Sequence, residues 1–293
     1  MSEPLVLDAE LLRDWPLPYH PDDDDKEGRG RALFIAGSRE LSGAAALAGL
    51  AALRAGAGKL QIATSQSIAL GLGLAIPEAR VIAFAENDEG CIAPDAIASL
   101  VGKCAEVDSL TIGPGMQHGA PLAALLEAVL ATRADHPLVI DAAALGVLPA
   151  LTGPMRAWPG GTVLLPHAGE MARLLGWESD RIAADPLASA REAAERFGSV
   201  ALIKGQWSHI TAPDGRAFRF LGGGVGLATS GSGDTLAGIV GGLTARGADP
   251  LTATLWGVYL HGEAGRILAR KVGRIGFLAR ELLDEVPALL QSA

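Results

Sequence analysis

The sequence predicts an α/β fold with a largely parallel sheet covered by helices on both faces, and three observations carry that prediction. Short apolar runs at 32–36, 60–64, 109–112, 138–140, 162–165 and 200–203 have the length and content of strands buried on both sides. Helical segments alternate with these runs, which is the rhythm of β-α units joined by crossovers. The carboxyl ends of the runs meet glycine, proline or a polar residue: Gly37-Ser38, Gly113-Pro114-Gly115, Asp141, Pro166-His167 and Lys204-Gly205. Open sheets of this kind bind ligands at the carboxyl ends of their strands, so the pattern points to an enzyme.

In chain order, residues 1–30 read as a lead-in. A short helix is expected at 8–12, stopped by Trp15-Pro16-Leu17-Pro18, and Asp22 to Asp25 with Lys26 form a solvated loop. A single domain is expected over 31–293. After the first strand, residues 43–55 form a small-residue helix closed by Gly56 and Gly58, and 81–84 form a further strand. Helices are expected at 94–102 (entered at Pro94), 121–132, 169–175 and 186–197. The period changes after Lys204, where 208–212 and 217–221 flank Pro213-Asp214-Gly215 as a hairpin. Helices near 250–270 and 277–290 close the chain, with no composition break and no internal repeat.

Composition excludes several partners. The chain of 293 residues is 49% hydrophobic, 19% charged and 4% aromatic, with a net charge of −9. That is enough apolar material for a large core. The negative charge and the few aromatics argue against nucleic acid and against an anionic membrane surface. No run approaches the roughly 18 apolar residues that span a bilayer, and no signal-peptide pattern opens the chain. Cys91 and Cys104 lack metal-site or disulfide-framework spacing, so reduced thiols and a cytoplasmic location are expected.

The stretch 223–240, GGVGLATSGSGDTLAGIV, concentrates the chemistry. Leu236, Ile239, Val240 and Leu243 fall at helical spacing, so Gly231-Ser232-Gly233-Asp234 is a turn opening a helix. Backbone N–H groups there have no intrahelical partner and the macrodipole adds positive charge, which makes a phosphate pocket. Asp234 in the first turn could take a proton from an attacking hydroxyl; a plain helix-start carboxylate is the alternative for such a motif in isolation. His167 and Glu170 share the start of another helix. Asp141 could ligate a metal or, the favoured reading, cap the next helix. Lys204-Gly205 could bring a cation to a phosphate. His20, His118, His136, His209 and His261 receive no role. Neither GxxxxGK[ST] nor a GxGxxG after the first strand is present.

Taken in order, FIAGSRELSGAAALAG (34–49), RAGAGKLQIAT (54–64), IGPGM (112–116), VIDAAAL (139–145), LLPHAGEMARLLG (164–176), LIKGQWSHI (202–210), GLATSGSGDTLAGIVGG (226–242) and YLHGEAG (259–265) resemble the ribokinase-like superfamily. More narrowly, the set is similar to the bacterial NAD(P)H-hydrate dehydratases, over about 30–290. The resemblance implies a three-layer αβα sandwich and the stand-alone dehydratase form. It also implies a reaction: ADP or ATP phosphorylates the ring hydroxyl of hydrated NADH or NADPH, and phosphate then leaves. By the same resemblance Asp234 is the base, and the N–H groups of Gly231, Ser232 and Gly233 form the anion hole. Ala44, Gly115, His167 and Asp234 contact the hydrate. Lys204, Gly205, Gln206, Trp207, Ser208 and Gly233 contact the nucleotide. Mg2+ bridges phosphate oxygens, its protein ligands being left open, and a homotetramer is implied.

The chain departs from that pattern in places. Ala168 stands where the family has the proline of PHPGE, and Ala143 where it has the second aspartate of DADAL. Gly224 replaces an asparagine, Ser208 ends the KxxxT segment, and Lys26-Glu27 stands for a lysine–glycine pair. Two rival readings are a small-molecule kinase of the superfamily, of the hydroxyethylthiazole-kinase kind, and a non-catalytic nucleotide-binding protein.

Overall fold

Ten strands form one sheet in the computed structural model, which describes residues 3–23 and 25–292. Asp24 of the acidic run lies outside the described residues. The strands are β1 (Leu5–Val6), β2 (Arg31–Ile35), β3 (Lys59–Ser65), β4 (Ala79–Phe84), β5 (Ser109–Ile112), β6 (Leu138–Ile140), β7 (Thr162–Leu164), β8 (Val200–Ile203), β9 (Trp207–Thr211) and β10 (Ala217–Leu221). Their order is β1-β10-β9-β8-β7-β6-β5-β2-β3-β4. From β4 to β8 every pairing is parallel, while β9 is antiparallel to both β8 and β10. The chain winds outward from β2 through β3 to β4, then returns to β5 and winds the other way. The topological switch therefore lies between β2 and β5, where a ligand crevice opens at the carboxyl ends.

Period-two alternation sends successive residues of each strand to opposite layers. Leu33 and Ile35 of β2 join one core with Leu110, Ile112, Leu138, Ile140 and Leu164. Ala32 and Phe34 join another on the opposite face. Helices Ile97–Cys104, Ala120–Ala131, Ala168–Leu175 and Pro186–Phe197 supply apolar side chains to the first core. Helices Ser42–Arg54, Ser232–Ala245 and Pro250–Lys271 supply the cores of the other face. This is the expected layered α/β arrangement.

Helix Ser232–Ala245 sits at the centre of its layer, and its glycines allow close approach on two sides. A Cβ on Gly238 would overlap the Ala48 carbonyl oxygen, and one on Gly242 would lie 2.5 Å from that of Ala52, both on helix Ser42–Arg54. Gly241 lies against Phe34 and Thr111 of the sheet. Helix propensity favours alanine over glycine by about 1 kcal/mol, yet here packing overrides it. Gly238→Ala is expected to destabilise by about 1–3 kcal/mol in urea unfolding; an unchanged midpoint would show that the two helices can part freely.

Several features were not legible in the sequence. Helix Gln66–Ala75 contains Gly71 and Gly73 and leaves Leu70 and Leu74 exposed, so it carries no amphipathic stripe. The lead-in is tied into the sheet: β1 runs parallel to β10, and Leu7 and Leu12 are buried. The helix expected at 8–12 is a 3-10 turn at Leu11–Asp14, because the chain there follows the sheet edge and hands the Trp15 carbonyl to Trp256 Nε1 at 2.7 Å. Among the described residues no helix is long and apolar enough to cross a membrane.

Candidate active site

The switch between β2 and β5 is closed by glycine. Gly37 N–H donates to the Pro114 carbonyl at 2.8 Å, and Gly115 has a φ of +67°. A Cβ at Gly115 would lie 2.8 Å from that of Ala44 and 2.5 Å from the Leu41 carbonyl. Gly115 and Ala44 therefore line one spot, at the start of helix Ser42–Arg54. Gly113 packs on the Asp141 carbonyl, drawing the ends of β5 and β6 together.

Asp141 and Lys204 meet at the next strand ends. Lys204 Nζ donates to Asp141 Oδ1 at 2.9 Å, with side chains 20% and 3% exposed. No side-chain capping bond is made by Asp141, so the favoured capping reading gives way to an ion pair. The reason is tertiary: β7 alone separates β6 from β8, and Lys204 is long enough to reach across it. The Lys204 N–H also donates to the Pro166 carbonyl at 2.9 Å, so His167 and Lys204 stand side by side beyond β7 and β8.

His167 caps helix Ala168–Leu175. Its Nδ1 accepts from the N–H groups of Gly169 and Glu170 at 3.0 and 3.3 Å, and Glu170 Oε2 accepts from the His167 N–H at 2.8 Å. The accepting Nδ1 places the ring hydrogen on Nε2, which lies 3.4 Å from Glu170 Oε1. Ala168, in place of proline, is the first residue of this helix and leaves the capping box intact.

The GSGD turn completes the site. Gly231, at φ +88°, rests against Leu47, one turn beyond Ala44. A Cβ on Gly233 would come within 3.4 Å of Lys204 Nζ. The Ser232 N–H is taken by the Thr229 carbonyl at 3.2 Å, while no backbone bond engages the N–H groups of Gly233 and Asp234 among the described residues. The Gly231 N–H is likewise without a backbone bond among the described residues, so of the three expected donors only that of Ser232 is taken. Burial raises the Asp234 pKa to about 6; Asp141 and Glu170 add to this, and Lys204 opposes it. Burial works against the Lys204 ammonium, but Asp141, Glu170 and Asp234 outweigh it and hold its pKa above the ordinary value. A carboxylate with a pKa near 6 is poised to accept a proton at neutral pH.

Beside the turn opens a cavity of about 1030 Å3. Lys204, Gly205, Gln206, Ser208 and Gly233 all line it, as does His167. Trp207 does not: it is exposed, with Arg219 over its ring at 5.4 Å. Gly224 is on the wall at φ +70°, with open space where a side chain would project. Two groups received no role from the sequence. Arg266 and Arg270, four apart on helix Pro250–Lys271, and Arg274 beyond its end all line the cavity. The spacing itself was the legible signal. His261 lies on the buried side of helix Pro250–Lys271 and bonds Ser232. Its three-residue offset from buried Val258 marks it as core, and only the fold reveals its partner.

A family model described as NAD(P)H-hydrate dehydratase matches residues 32–288. This chain belongs to the NAD(P)H-hydrate dehydratase family. It is 46% identical to the ADP-dependent (S)-NAD(P)H-hydrate dehydratase of Xanthomonas campestris, over 99% of this chain and 98% of that protein. A crystal structure of the ADP/ATP-dependent NAD(P)H-hydrate dehydratase from Bacillus subtilis, co-crystallized with ATP/Mg2+, superposes with a TM-score of 0.83 at 30% identity. It covers 100% of this chain and 99% of its own. A ribokinase-like superfamily protein from Enterococcus faecalis superposes equally well, at 0.83 and 28% identity, covering 98% and 95%. The expected ribokinase-like αβα fold of this family member is thereby established. Against bifunctional NAD(P)H-hydrate repair enzymes, the chain spans about half the relative's length, 49% and 53% in two cases.

Proposed function

We propose that this protein dehydrates the S-form of hydrated NADH and NADPH, using ADP or ATP as phosphoryl donor. The observation that carries the reading is Asp234: a carboxylate with its pKa near 6, close enough to Lys204 to feel its charge, in a helix start whose Gly233 and Asp234 N–H groups are free and whose Ser232 and Gly233 line a nucleotide-sized cavity. The hydrate would lie between Ala44 and Gly115 at the topological switch and His167 beyond β7. The nucleotide would fill the cavity, its phosphates toward Lys204 and Gly233.

In this reading the ring hydroxyl oxygen bonds to the donor's terminal phosphorus as the bridging P–O bond breaks, and Asp234 takes the hydroxyl proton. AMP leaves if the donor is ADP, and ADP leaves if it is ATP. The ring nitrogen lone pair then expels phosphate, and loss of a proton from the neighbouring ring carbon restores the dihydronicotinamide. The Gly233 and Asp234 N–H groups and the Lys204 ammonium face the charge that develops on the phosphoryl oxygens.

Among the described residues no three His, Cys, Asp or Glu side chains are grouped as a metal cage. This fits Mg2+, which keeps most of its water and takes one or two carboxylates plus substrate phosphates. Glu170, a Coulombic neighbour of both Lys204 and Asp234, is the carboxylate that would hold it. When bound, the ion supplies charge neutralisation at the phosphate oxygens.

The deciding assay mixes purified protein with NADH hydrate, Mg2+ and either ADP or ATP. Recovery of NADH absorbance is expected, and no recovery with either donor would sink the reading. His167→Ala should raise the KM for the hydrate more than it lowers kcat, and should cost about 1 kcal/mol of stability through the lost cap. His167→Asn retains a capping side chain and should recover that stability without the KM. A loss confined to kcat would instead place His167 in the chemistry. A single catalytic unit over 31–293 in a cytoplasmic homotetramer completes the proposal; light scattering on the full chain tests the oligomer.

A further inference from the structure

Ser232 and His261 form a side-chain contact that the proposed reaction does not use. Ser232 is 5% exposed and His261 9%, yet both line the cavity. His261 Nε2 lies 3.0 Å from Ser232 Oγ and 3.0 Å from the Ser232 carbonyl oxygen. A carbonyl oxygen can only accept, so the ring hydrogen must be on Nε2; a bare Nε2 would set two lone pairs against each other. Burial keeps this imidazole neutral, lowering its pKa to about 4, with the Ser232 carbonyl bond opposing and Lys204 adding to the shift. The hydrogen on Nε2 has a consequence for Ser232. Its Oγ can accept from His261 but cannot donate to it, so the hydroxyl hydrogen must turn elsewhere. Among the described residues no other acceptor takes it.

We propose that His261 holds Ser232 so that its hydroxyl donates into the cavity, adding a side-chain donor for the transferring phosphoryl group to the N–H groups of Gly233 and Asp234. The inference rests on the proposed phosphorylation of the hydrate. Ser232 would touch a phosphoryl oxygen while the hydroxyl of the hydrate displaces the nucleotide leaving group and Asp234 takes its proton. His261 is then a positioning residue. Its grip on the Ser232 carbonyl also fixes the Ser232–Gly233 peptide plane. Carbonyl and N–H point opposite ways across a trans peptide, so the Gly233 N–H faces away from His261.

The test compares Ser232→Ala, His261→Leu, His261→Gln and the Ser232→Ala/His261→Leu double variant at saturating nucleotide, with melting curves to confirm folding. Ser232→Ala and His261→Leu should each lower kcat about 10- to 100-fold, with the nucleotide KM changed less than about threefold, as expected for a donor used mainly in the transition state. His261→Gln, which retains a terminal N–H donor, should recover most of the loss. The double variant should be no slower than the worse single one, because both changes remove one device. Wild-type kcat in folded Ser232→Ala would overturn the proposal, as would losses that multiply in the double variant. Slow hydrolysis of the nucleotide by water is followed in the same samples. A wild type that hydrolyses nucleotide with this ranking of variants, yet restores no NADH, would overturn the substrate and keep the Ser232 donor.

Discussion

Asp234→Asn is expected to lower kcat by about two orders of magnitude or more and, in the same protein, to raise the melting temperature. The first effect follows from losing the base while keeping its shape. The second follows from linkage. The Asp234 pKa stands at about 6 in the fold against an ordinary 3.8, so the folded state holds that proton more tightly than the unfolded chain does. The ionised side chain therefore costs stability, in full above about pH 6 and progressively less as the pH falls toward 3.8. Removing the charge should return about 1–3 kcal/mol at pH 8, a rise of several degrees, and almost nothing near pH 4. The wild type should also show an acid limb in kcat/KM near pH 6, with activity falling as the pH drops through it. An asparagine variant that is slower but no more stable at pH 8 would mean that Asp234 is not ionised against its surroundings.

Lys204→Met should have the largest effect on stability. It strips the buried Asp141 carboxylate of its ion-pair partner, and breaking a buried pair from one side costs about 3–5 kcal/mol. It also removes the Lys204 charge that lowers the Asp234 pKa, so the acid limb of the residual activity should move above pH 6. Guanidinium unfolding and a pH–rate profile measure the two effects separately. A limb that stays in place or moves to lower pH would show that Lys204 and Asp234 do not interact. Asp141→Asn supplies the converse, because it removes a charge that raises the Asp234 pKa and should move the limb down.

Strands β2, β3, β5, β6, β7 and β8 were legible because burial leaves a nearly unbroken apolar run, and that signal does not depend on distant residues. Starts of helices were legible for a similar reason. Pro94, the PHAGE block and the GSGD turn use residue types that suit unpaired N–H groups locally. Helix Gln66–Ala75 was not, since Leu70 and Leu74 face outward while only Leu72 is buried, and its glycines lower the local helical preference. Local sequence favours a cap at Asp141 because it stands before a helical turn; nothing local reveals a lysine 63 residues later.

The order of β-α units, the glycine turn and the position of a carboxylate within it were determined by the sequence alone, because each depends on neighbours a few residues away. The tertiary structure decided which charges surround that carboxylate. Strand order sets the ends of β6 and β8 with only β7 between them, so Lys204 pairs with Asp141, and burial then lifts the Asp234 pKa to about 6. It likewise turned His261 from an unassigned residue into the one that holds Ser232, because only the packing of helix Pro250–Lys271 beside the turn brings together residues 29 positions apart.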